Sequence, residues 1–306
     1  MPEYQYLMDA LVLPLNYNPT GEYIFPCIIE LPKKIADSSA MYAMYYAPHE
    51  PPGGICVAFS NSLDSPFVEY NNNPIISNTL PDGKVSHVSS PHVIWDEPTQ
   101  QFYLYFHGEN TTTRVARSSD GFNFTDETRI LESTFVPGLT EASYARVFEY
   151  SLPDRGNRYI MLYMGNDQGT RRIYYGWSPN GWDEWQFSPN PLVNPEPDQL
   201  LNISGPMLMI RNDMTYVAYH GNDGTMRITE IGNDFDRENH LGVFYRPAST
   251  DYGRAASPWF ITADGVDYMF YEAGPRLNAR ICVASACARQ IVAPEKPRKA
   301  SHRNAL

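Results

Sequence analysis

Five polar residues recur at one position of a repeating pattern. Glu22, His87, Glu141, Asn202 and Arg254 each stand four residues before Pro26, Pro91, Ala145, Pro206 and Pro258, which open short apolar segments. Two carboxylates across one pocket can do acid–base work on an acetal. One, kept protonated, donates to the leaving oxygen, and the other activates water or attacks the anomeric carbon. Arg254 would hold one carboxylate ionised, while an apolar wall of Tyr144 and Trp259 would raise the pKa of the other. A second polar set follows aromatic segments: His107, His220 and Glu272 come directly after Phe106, Tyr219 and Tyr271. Asn166, Asn222 and Asp223, which follow similar segments, read as ordinary turn residues. Glu is a poor turn former and is rarely buried unpaired, so Glu22 and Glu141 are the candidate working pair.

The elements that must carry these residues form an internal repeat. Each unit begins with a short apolar strand: Pro26-Cys27-Ile28-Ile29, Pro91-His92-Val93-Ile94, Ala145-Arg146-Val147-Phe148, Pro206-Met207-Leu208-Met209 and Pro258-Trp259-Phe260-Ile261. An aromatic strand follows, marked by Tyr46, Phe106, Tyr163, Tyr219 and Tyr271, at spacings of 60, 57, 56 and 52 residues. A third strand often runs into a turn such as Ser118-Ser119-Asp120-Gly121, and Asn73-Pro74-Ile75-Ile76 and Asn190-Pro191-Leu192-Val193 are candidate fourth strands. No helical period persists. Five such units predict an all-β, single five-bladed β-propeller over residues 1–290, with a polar tail at 291–306. The five-fold period counts against a two-sheet sandwich. The last unit lacks sequence for a fourth strand, and Ala10-Leu11-Val12-Leu13 is expected to supply it, closing the ring and removing two exposed edges. In a propeller the first strands surround the axis and the second strands return antiparallel to the same face. Both polar sets should therefore converge on one mouth.

Composition sets the outer limits. The chain of 306 residues has 23 Lys and Arg against 35 Asp and Glu, a net charge of −12. That balance argues against a nucleic-acid partner, which needs clustered cations, and leaves a neutral ligand such as a sugar open. No apolar run reaches the about 18 residues of a membrane span, so no membrane partner is expected. The opening Met1-Pro2-Glu3-Tyr4 has an acid where a secretory signal has a base, giving a cytoplasmic expectation. Cys27, Cys56, Cys282 and Cys287 have no metal or redox spacing and read as thiols. No dedicated metal motif appears, although His87, His92, His107 and His220 could meet near the axis; neither metal nor cofactor is assigned. Oligomeric state is left open.

Ser90-Pro91-His92-Val93-Ile94-Trp95-Asp96, Phe102-Tyr103-Leu104-Tyr105-Phe106-His107-Gly108, Glu141-Ala142-Ser143 and Ser118-Ser119-Asp120-Gly121-Phe122 together resemble the five-bladed glycoside hydrolases of family 43 and its relatives in families 32, 68 and 117. The likeness spans nearly the whole chain. It implies the propeller and a carbohydrate substrate, cleaved by an exo-acting glycosidase. Glu141 resembles the family's general acid. The first-blade base Asp has its nearest counterpart in Glu22, and the second-blade Asp that orients the acid aligns with His92. The expected roles are Glu141 as proton donor, Glu22 as base or nucleophile, and His92 or His87 as the group orienting them. Arg146, Arg254, His107, His220, Glu272, Tyr144 and Trp259 are expected to bind substrate. Two alternatives share this fold: a glycoside phosphorylase, with Arg146, Arg254 and His87 holding phosphate, and a sugar-binding propeller without catalysis.

Overall fold

The computed structural model describes residues 1–32, 40–196 and 202–287; the expected tail at 291–306 lies outside the described residues. Five four-stranded antiparallel sheets are arranged as the blades of a propeller, and among the described residues there is no α-helix. The innermost strands are Ile24–Glu30, Val88–Asp96, Leu139–Glu149, Ile203–Arg211 and Ala255–Ala263. Each pairs with the aromatic strand that follows it: Tyr42–Ala47, Gln101–Gly108, Tyr159–Asp167, Met214–Gly221 and Val266–Ala273. The five marker aromatics are all at most 1% exposed, so the repeat seen in sequence is one buried ring per blade.

The fifth blade is completed from the other end of the chain. Gln5–Asp9 pairs with Arg280–Cys287 beside Val266–Ala273, and Arg280 Nε donates to Asp9 Oδ1 at 2.8 Å. Ring closure by an N-terminal strand therefore holds, but the strand lies ahead of the expected Ala10–Leu13. Ala10 and Leu11 are buried, and here the chain passes from blade 5 to blade 1: Ala10 N–H donates to Ile281 O at 2.9 Å, Phe67 N–H to Ala10 O at 2.7 Å and Val12 N–H to Phe67 O at 2.9 Å. The closing strand is thus stapled to both the last blade and the first.

The fourth strands also differ from expectation. Val68–Glu69 and Gln186–Phe187 occupy that place, while the Asn-Pro segments add single bridges, Ile76 to Ile55 and Val193 to Ile173. Proline has no N–H for a ladder, so these segments close the apolar gap without continuing the sheet. Cys27, Cys56 and Cys282 are buried free thiols.

Every innermost strand contains the same defect. The pairing slips by one residue between Ile24 and Cys27, Ser89 and His92, Ser143 and Arg146, Ser204 and Met207, and Ala256 and Trp259. In each case one residue inside the slip has a positive φ: Phe25 (59°), Ser90 (54°), Tyr144 (56°), Gly205 (62°) and Ser257 (48°). Pro follows in four of the five and Ala145 in the other. Five equivalent bulges thus ring the axis. Proline within a strand is tolerated at such bulges, and each extra residue re-aims the side chains on either side of it. Gly205 is the most constrained, since a Cβ there would lie 2.8 Å from His220 Nδ1. Gly205→Ala is expected to lose about 1–3 kcal/mol of stability in urea unfolding, through left-handed strain and this contact together.

Candidate active site

The bulges divide the axis into a packed floor and a polar mouth. Below them, His92 is 1% exposed and its Nδ1 accepts the Val147 N–H at 3.2 Å. Its ring packs on Tyr105, Phe148 and Trp259. Burial pushes its pKa well below the ordinary value. Arg146 crosses the axis to donate to the carbonyls of Pro258 and Ser257, with its guanidinium 5.2 Å from the centre of the Trp259 ring. Burial lowers even this guanidinium to about 10. His92, Arg146 and Trp259, expected to orient acids or bind substrate, instead plug the propeller. The cavity at the level of the bulges, lined by Phe25, Ser90, Tyr144, Arg146 and Gly205 among others, holds only about 10 Å³.

Above the bulges three carboxylates from three blades are each gripped by an arginine. Glu22, fully buried in blade 1, accepts from Arg276 Nη2 at 3.1 Å and from the Leu277 N–H at 2.8 Å. Arg276 also binds Glu50 at 2.9 Å. Glu272, fully buried in blade 5, accepts from Arg254 Nη2 at 2.7 Å and from the Phe25 N–H at 3.3 Å. Burial pushes its pKa up, but Arg254, His220 and Ser257 outweigh that and leave it below the usual range. Glu141, in blade 3, is part-exposed. It receives a two-pronged bond from Arg171, with Nε and Nη2 each at 2.8 Å. The side-chain amides of Asn166 and Asn110 add bonds at 2.8 and 3.2 Å. Burial raises this carboxyl too, yet Arg171 and the two amides together hold it below the usual range.

Tyr144 ties these groups into one place. Its hydroxyl lies 3.3 Å from His49 Nε2, its ring is 5.3 Å from Phe25 and 5.0 Å from His107, and Arg171, Arg276, Glu272 and Glu141 all act on it electrostatically. Burial pushes its hydroxyl up to about 12. His220 is half-buried, and its Nδ1 accepts the Ser257 N–H at 3.2 Å. Burial lowers His49 and His220 to about 3 and His87 and His107 below their ordinary value, so all four imidazoles are neutral at pH 7.

Of the residues picked from sequence, the structure gathers Glu22, His87, Glu141, Arg254, His107, His220, Glu272 and Tyr144 at the mouth. It also brings in His49, Arg171 and Arg276. His49 lies in Tyr46-Ala47-Pro48-His49-Glu50, the one segment whose polar residues come late relative to the other blades. Arg171 opens the third strand of blade 3, and Arg276 sits in the turn before the third strand of blade 5. Neither belongs to a matched set, so only their ion pairs reveal them. A larger surface cavity of about 900 Å³ lies beside the mouth and is lined by Gly21, Tyr23, Tyr252, Pro275 and Arg280 among others. Tyr252 presents a ring that is 71% exposed.

No protein-family model and no curated protein matches the sequence. Solved structures do match. The structure of a complex between BT0996 and RGII superposes with a TM-score of 0.72 at 14% identity, over 99% of this protein and 95% of that one. The α-L-arabinofuranosidase PaAbf62A from Podospora anserina, in complex with cellotriose, matches with a TM-score of 0.64 at 11% identity, over 93% and 96% of the two proteins. The α-L-arabinofuranosidase from Lactobacillus brevis gives 0.63 at 16%, over 88% and 92%. The chain therefore has the five-bladed propeller fold found in glycoside hydrolases.

Glu141 contributes stability that is present above its unfolded pKa of about 4.3 and is lost as pH falls through its lower folded value. Glu141→Gln, which leaves the half-buried Arg171 without its carboxylate, is expected to be less stable than the wild type at pH 7. The difference should shrink as pH falls below about 4.3 in paired urea unfolding curves.

Proposed function

We propose that the chain is a glycoside hydrolase, exo-acting, with its chemistry at the propeller mouth. The observation that carries this reading is the gathering around Tyr144 of Glu141 and Glu272, from blades 3 and 5, and of Arg276, the partner of Glu22 in blade 1. Glycosidic cleavage needs two carboxylates in different protonation states flanking one bond. The part-exposed Glu141 can touch a ligand. Its bidentate arginine keeps it ionised and so suits it to base or nucleophile rather than to the proton donor expected from sequence. The second carboxylate of the pair is Glu22, whose partner Arg276 is shared with Glu50. Arg276 is 38% exposed at its side chain and is the group a sugar must displace to reach Glu22. Arg254 and Glu272 form the opposite wall and would position hydroxyls. The buried hydroxyls of Ser90, Ser143 and Ser204, which have no protein partner, add further donors and acceptors near the bulges. The plug of Arg146, His92 and Trp259 makes the mouth blind, which supports attack on chain ends.

One observation favours a second reading, a propeller that binds sugar without cleaving it. Glu22 and Glu272 are wholly enclosed, and all three carboxylates are already paired. A phosphorylase finds less support, since Arg146 is committed to backbone carbonyls in the floor.

A panel of aryl glycosides and oligosaccharides separates these readings. Hydrolysis is expected, with kcat/KM lowered by about 10³-fold or more in Glu141→Gln and in Glu22→Gln, each folded by circular dichroism. Saturable binding without turnover would replace the hydrolase with the binding module. Turnover that requires inorganic phosphate would replace it with a phosphorylase.

A further inference from the structure

Beside the carboxylates, three imidazoles from two blades point at a common centre. His49 follows the second strand of blade 1, His87 precedes the first strand of blade 2, and His107 ends the second strand of blade 2. One ring nitrogen from each lies within 4.8 Å of the others. The rings meet edge to face, with centroids 5.2, 5.9 and 5.5 Å apart.

The hydrogen bonding at this cluster is incomplete. His107 is 1% exposed, and neither of its ring nitrogens has a partner; the buried Nε2 of His87 has none either. Leaving a buried polar nitrogen unmade costs about 1–3 kcal/mol, and three such atoms in one cluster need an explanation. The neighbouring serines orient the rings. Ser86 Oγ lies 2.9 Å from His87 Nδ1 and Ser89 Oγ lies 3.2 Å from His49 Nδ1, and in the tautomer whose Nδ1–H donates to the serine, Nε2 of each ring is the lone-pair nitrogen. That is how outer hydrogen bonds fix the tautomer of a ligating histidine.

We propose that His49, His87 and His107 form a binding site for one divalent transition-metal ion of the zinc class. Three neutral imidazoles make a donor set for zinc, with a fourth position left for water or a substrate oxygen. Ligation at about 2.1 Å needs nitrogens about 3.4 Å apart, within reach of small side-chain rotations from the present spacing. Calcium and magnesium prefer oxygen ligands and are not suited to this set. The added charge has counterparts: Glu50 and Glu109 act electrostatically on His87. The nearby Arg276 and Arg171 are already paired with Glu22, Glu50 and Glu141. The Tyr144 hydroxyl lies 3.3 Å from His49 Nε2, beside the cluster. The site does not rest on the hydrolase reading, and its test needs no activity.

The full chain is stripped with a strong chelator, and Zn²⁺ is titrated in competition with a chromophoric chelator. Cobalt(II) replaces zinc in a parallel titration read by visible absorption. The expected result is one equivalent of zinc per chain, a rise in Tm with zinc, and an intense tetrahedral cobalt spectrum, with no competition from Ca²⁺. His87→Gln and His107→Gln should each weaken zinc binding by about 100-fold or more, and Ser89→Ala by about 10-fold. His240→Gln, at a histidine elsewhere in blade 4, should keep wild-type affinity. If His107→Gln fails to fold, the half-buried His87 decides. Binding well below one equivalent, or wild-type zinc affinity in His87→Gln, overturns the proposal.

Discussion

The bulge that interrupts each innermost strand is the constraint on which the mouth depends. A strand alternates its side chains between two faces, so an unbroken strand would carry one alternation from floor to rim. One extra residue resets that alternation just below the rim in all five blades. Apolar and aromatic groups can then fill the axis beneath, while Glu22, His87, Glu141 and Arg254 meet above. The left-handed residues at the bulges cost strain, and the closed ring holds them in place. The closing strand Gln5–Asp9 matters for the same reason, because a ring left open at blade 5 would release the geometry that over-determines the bulges.

Electrostatics at the mouth follow from its partial enclosure. Little water reaches Glu22 and Glu272, so each needs a cation, and Arg276 and Arg254, from two different turns of blade 5, provide one each. The low dielectric that strengthens those pairs also keeps the imidazoles neutral, and neutral imidazoles can ligate or accept a hydrogen bond but cannot balance a carboxylate. The cations that pair with Glu22, Glu141 and Glu272 are therefore all guanidinium groups. Arg146 shows the same physics below the bulges, where carbonyl oxygens and the Trp259 face replace a counter-ion and the side chain works as packing.

Much of this architecture was legible in the residues. The repeated aromatic marked each blade because a propeller needs one large ring per blade at the same depth. The polar residue four places before each Pro marked the rim because the bulge recurs at the same point. Legibility stopped where a residue's environment depends on the neighbouring blade. His92 reads as a rim residue in a strand context, yet it lies on the far side of the bulge and is buried among rings from three blades. Glu141 reads as an acid beside aromatics, yet Arg171 on the third strand of its own blade keeps it charged.

By itself the sequence determined the number of blades, the first three strands of each and the two polar sets, since these follow from local periodicity and turn chemistry repeated along the chain. Only the tertiary structure decided which polar side chains stand above the axial plug, which arginine each carboxylate meets, and that His49 joins His87 and His107. Those outcomes depend on distances between blades and on exclusion of water, and both arise when the ring closes.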